Sequence, residues 1–125
     1  MTLARVPGRF AVARLAPDAP IPSWATGTLT SITRTPDELS IVCDEEAVPN
    51  GVYAMRDFAC IRVLGTIDFA VVGLLAALTR ALADAAVSVF AFSTFDTDYL
   101  LVRTADFARA RRALSSVAVF VDESE

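Results

Sequence analysis

The sequence predicts an α+β fold, and three observations carry that prediction. From Phe58 onward the chain reads strand, helix, strand, strand, helix, strand. The run from Val87 to Val102 sets two aromatic-rich apolar stretches around the polar knot Ser93-Thr94-Phe95-Asp96-Thr97-Asp98, the pattern of a β-hairpin with hydroxyls and carboxylates in its turn. The residues before Phe58 offer strands but no convincing long helix. The expected architecture is a ferredoxin-like βαββαβ unit, an antiparallel sheet with helices on one face, preceded by a degenerate strand-rich half that has lost its helices. The division is placed at 1–56 and 57–125.

The elements follow in order. Arg9 to Leu15 reads as a first strand, ended by Ala16-Pro17-Asp18-Ala19-Pro20-Ile21-Pro22, where three prolines forbid helix and impose an extended connector. Trp24, next to those prolines, reads as a packing anchor for a small core. Strands Thr28 to Thr33 and Glu38 to Cys43 flank the turn Arg34-Thr35-Pro36-Asp37. Glu45 to Gly51 forms a loop or helical turn, and Phe58 to Leu64 a strand ending at Gly65.

Asp68 is a good N-cap for a helix over Phe69 to Ala83. Its stripe is Val71, Leu75, Leu78 and Leu82; the opposite side, Val72, Leu74 and Ala76, is hardly polar and implies cover on more than one side. Val87 to Thr94 and Asp98 to Arg103 are the hairpin strands. Thr104 is expected to cap a second helix, Ala105 to Ser116, with Asp106 in its first turn. Phe107, Ala110, Leu114 and Val117 form its inner face, while Arg109 and Arg112 are solvated. Ala118 to Val121 is the last strand, followed by the acidic residues Asp122-Glu123-Ser124-Glu125.

Composition narrows function. Hydrophobic residues make up 54% of 125 residues, which suits one packed domain or two small lobes sharing a core. Eleven basic residues, all arginine, face fifteen acidic ones, giving a net charge of −4 that argues against general nucleic-acid binding. The chain contains no histidine, which removes Ser-His-Asp and Cys-His catalysis, imidazole metal ligation and a histidine pH switch. Cys43 and Cys60 form no C-x-x-C pair and read as buried free thiols. Arg5, Pro7 and Arg9 interrupt any secretory apolar stretch, and the run Phe69 to Leu78 is shorter than the roughly 18 residues a bilayer demands. The expectation is a cytoplasmic protein without a membrane partner.

Phe90 and Phe92 on a central hairpin raise RNA binding, but their neighbours are Val, Ala, Ser and Asp rather than basic residues. An acylphosphatase-type site needs an arginine and an asparagine, and the only asparagine, Asn50, sits in a loop away from any Arg-bearing turn. Asp96 and Asp98 offer a carboxylate pair for acid–base work or a divalent cation, yet no nucleophile stands beside them and no third acid is near. The reading is therefore not an enzyme, with no cofactor and no metal site.

A small-molecule site fits better. The helix expected to start at Asp68 presents unpaired backbone N–H groups suited to a carboxylate. Asp96 and Asp98 supply charge for an ammonium group, with the hydroxyls of Ser88, Ser93 and Thr94 at hand. Opposite charges held at opposite ends describe a free α-amino acid. Asp68 reads first as a helix cap, while Asp98 serves equally as a ligand contact or as the residue that fixes a tight turn.

At these residues the chain resembles the ACT domain, the regulatory amino-acid-binding module, and within it the branch containing the CASTOR arginine sensors and small bacterial ACT-domain proteins. The likeness rests on Ser31 to Glu46, similar to that branch's first strand pair, and on the V-S-V, S-T-F and T-D-Y-L-L-V order within Val87 to Val102. The resemblance implies an amino-acid-binding regulatory protein, a homodimer whose ligand lies between ACT units. Ser88 and Val89 correspond to residues that contact the ligand's backbone groups, and Thr94, Phe95 and Asp98 to the residues that follow. The loop Thr66 through Gly73, with Thr66, Ile67, Asp68, Phe69 and Gly73, corresponds to the backbone grip. Where the arginine sensors carry an acidic residue for the guanidinium, this chain has Val71, so arginine specificity does not transfer. The competing reading is an ACT fold without ligand that serves as a protein–protein interaction module.

Overall fold

Alternation of apolar residues decides where this chain makes strands, and glycine, proline and charge decide where they bend. The computed structural model describes residues 1–65 and 72–121. Two units are present, Gly8–Phe58 and Met1–Pro7 together with Ala59–Glu125. Strands β1 (Thr2–Leu15) and β4 (Ala54–Val63) contribute residues to both.

In Gly8–Phe58, β2 (Ser31–Arg34) and β3 (Leu39–Asp44) form an antiparallel hairpin with Ile32 opposite Ile41, and β3 pairs antiparallel with β1, Ala13 opposite Ile41. The turn over Pro36 is closed by Thr35, whose hydroxyl accepts the N–H groups of Asp37 and Glu38 at 3.1 and 3.2 Å. The inner face carries Ala11, Ala13, Leu39, Ile41, Cys43 and Val48, with Trp24 packed against it as the sequence predicts. Arg34 donates to the carbonyls of Pro17 and Ala19 and so pins the proline connector.

Beyond β3 the chain makes a 3-10 turn, Glu45–Ala47, whose carbonyl side is held by Arg56: its guanidinium donates to the carbonyls of Glu45, Val48 and Pro49. Asp57 adopts a left-handed φ of 73°. Its N–H donates to Glu45 Oε1 at 2.6 Å and its carboxylate accepts from Arg9 at 2.6 Å, contacts that hold the backbone there. Strand β4 therefore starts at Ala54, earlier than Phe58, because Arg56 and Asp57 interrupt the apolar pattern without interrupting the strand.

The other unit contains β5 (Phe90–Ser93), β6 (Asp98–Arg103), β7 (Val119–Phe120) and two helices, α1 (Leu74–Asp84) and α2 (Phe107–Leu114). Its strands run in the order β1, β4, β6, β5, and β7 pairs parallel with β1, Thr2 opposite Val119. β5 and β6 are antiparallel, with Phe90 opposite Leu101 and Ser93 opposite Asp98. One sheet face supplies Leu3, Ala59, Ile61, Val63, Leu100 and Val102 to a core closed by Leu78 and Leu82 of α1 and Ala110 and Leu114 of α2. Each fully buried leucine contributes roughly 1.5–3 kcal/mol. This is a mixed α+β fold of the ferredoxin-like type, as the element order predicts.

Other boundaries also differ from the sequence reading. β1 begins at Thr2, not Arg9, and accommodates Pro7 and Gly8 (φ 99°) within the strand. α1 begins at Leu74, behind Gly73 (φ 85°), rather than at Phe69; the proposed cap Asp68 lies outside the described residues. β5 begins at Phe90, not Val87, because Val87 closes the helix before it. Ala86 is left-handed (φ 60°), Val87 N–H donates to the carbonyl of Leu82 at 2.9 Å, and Ala86 N–H to that of Ala83 at 3.0 Å, a Schellman closure.

Thr104 does not cap α2. The chain enters that helix through a 3-10 turn, Thr104–Asp106, with no side-chain cap bond. Arg109 remains exposed as expected but pairs with Asp106 at 3.2 Å and donates to the carbonyl of Ala86. Beside them, the Arg5 guanidinium lies 4.3 Å over the Phe107 ring and Arg111 4.8 Å over Phe120, cation–π contacts that cover the open edge of the core.

Candidate ligand site

The polar knot between β5 and β6 is a tight turn built by its own hydroxyls. Thr94 N–H donates to the carbonyl of Thr97 at 2.8 Å, and the Thr97 N–H donates back to Thr94 Oγ1 at 3.3 Å. At the base of the turn the Ser93 hydroxyl donates to Asp98 Oδ1 at 2.5 Å. The tip, Phe95 and Asp96, is exposed, Phe95 completely so.

Thr97 fastens this turn to the rest of the unit. Its side chain is buried, and its hydroxyl donates to the carbonyl of Val63, the last residue of β4, at 2.8 Å. The next residue, Leu64, donates its N–H to the carbonyl of Thr2 at 2.9 Å. The end of β4 is thus held from both sides where the chain leaves toward α1. Gly65 (φ 83°) and Gly73 (φ 85°) stand at either end of that connection with open space where a Cβ would be.

Of the residues singled out in the sequence, the structure gathers Thr94 and Asp98 into one turn, with Phe95 at its tip. Gly73 is exposed immediately before α1, Ser88 is exposed in the connector to β5, and Val89 is partly buried against the core. Thr66, Ile67, Asp68 and Phe69 lie outside the described residues. Thr97 was not among the expected site residues. Its only signal in the sequence is its spacing from Thr94, which lets two short hydroxyl side chains close one turn.

Opposite the helices, the β5–β6 pair carries an aromatic surface: Phe92 stacks on Tyr99 at 5.3 Å and Phe90 meets Phe92 edge-on at 6.2 Å. Both cysteines are buried and in no disulfide. Burial pushes the Cys60 thiol up to about 12, and burial, then the neighbouring Asp44 carboxylate, raises that of Cys43, so neither is poised as a nucleophile. Among the described residues no group of three or more Cys, Asp and Glu side chains is arranged to hold a metal ion, and no helix is long and apolar enough to cross a membrane.

The architecture places the chain in a class, the α+β modules in which helices cover one face of an antiparallel sheet. A family model of the ACT domain matches residues 54–116, and a model of an N-terminal domain matches residues 8–51. The chain belongs to the ACT-domain family. No curated protein matches the sequence. Among solved structures, a protein of Agobacterium tumefaciens is similar at 33% identity and a TM-score of 0.92, the match covering 99% of this chain and 94% of that one. A protein of Vibrio cholerae, of unknown function and described as a possible transport protein, is similar at 20% identity and 0.75, covering 92% and 88%. The regulatory subunit of aspartate kinase from Thermus thermophilus shares the fold at 13% identity and 0.64, covering 91% and 95%.

Proposed function

We propose that this protein is a non-catalytic regulatory module that binds a free amino acid, the ligand being held between ACT units of a homodimer. The observation that carries the reading is the tie from Thr97 to Val63, which fastens the turn bearing Asp96 and Asp98 to the last residue of β4. In this reading the carboxylates of Asp96 and Asp98 take the ammonium group of an amino acid, and unpaired N–H groups at the start of α1 its carboxylate. ACT-domain membership and a fold shared with aspartate kinase regulatory subunits support the same reading. The resemblance to the arginine-sensor branch supports ligand capture between units, without arginine as the ligand. Binding would regulate by favouring one arrangement of the units, to the extent that the ligand's affinity differs between arrangements.

One observation favours the second reading, a protein–protein interaction module: Phe95 is fully exposed and Val72 is 92% exposed. Sedimentation velocity across protein concentrations, with and without a mixture of the twenty amino acids, separates the two. A dimer tightened by amino acids supports the sensor. A monomer unaffected by them contradicts it, and a dimer indifferent to them favours the interaction module.

A further inference from the structure

We draw no further inference here: the strongest candidate, the apolar outer edge of the sheet at β5 with exposed Phe90 beside Phe92 and Tyr99, carries none because nothing among the described residues shows what covers it.

Discussion

Ser93 and Asp98 face each other across the β5–β6 hairpin, and the serine hydroxyl donates to Asp98 Oδ1 at 2.5 Å. The contact gives Asp98 a structural duty without consuming its charge, since the second carboxylate oxygen remains available. Asp98→Asn keeps an acceptor for Ser93 and removes the charge, whereas Asp98→Ala removes both. If the charge holds an ammonium group, both variants lose amino-acid binding, and Asp98→Ala is also destabilised by about 1 kcal/mol. Calorimetry beside thermal melting checks this. Wild-type affinity in Asp98→Asn would confine the residue to the turn.

Cys60 predicts a pH dependence. Burial raises its thiol from the ordinary value of 9.0 to about 12. The folded state therefore retains the proton at a pH where the unfolded chain releases it. Stability from this group is complete below pH 9 and is lost as pH rises toward 12, because the unfolded state then binds fewer protons than the folded one. Urea unfolding at pH 8 and pH 10.5 should show wild type losing more stability than Cys60→Ala. Parallel losses in the two proteins would mean that the thiol titrates normally.

Ala86 is a stabilising opportunity. Its φ of 60° places a Cβ in the left-handed region at the residue that ends α1, at a cost of roughly 1–2 kcal/mol that glycine does not incur. Ala86→Gly should raise the melting temperature, offset in part by the greater freedom of glycine in the unfolded chain. An unchanged or lowered melting temperature would contradict the closure described for this helix.

How far the sequence reveals this fold depends on whether one interaction dominates locally. β6 is read correctly from Asp98 to Arg103 because its residues are strongly β-prone and bounded by a turn. The stripe of Leu78 and Leu82 identifies the buried face of α1. β1 is underestimated because Pro7 and Gly8 are local signals against a strand, while the residues before them, Thr2 and Leu3, pair with β7, a distant segment. Val87 shows the converse: an apolar β-branched residue reads as strand, yet its N–H is claimed by the carbonyl of Leu82. The candidate site is legible as a polar turn, but the bond that gives the turn its place, from Thr97 to Val63, joins residues that no local pattern connects.

The central claim is that a free amino acid is the ligand, and a thermal-shift panel of the twenty, each at millimolar concentration, tests it most directly. A ligand present at about 100 times its dissociation constant adds roughly 2.7 kcal/mol of stability, enough to move the melting temperature visibly. The account predicts a shift for one or two amino acids, diminished in Asp98→Asn. A panel in which all twenty leave the melting temperature unchanged would contradict it.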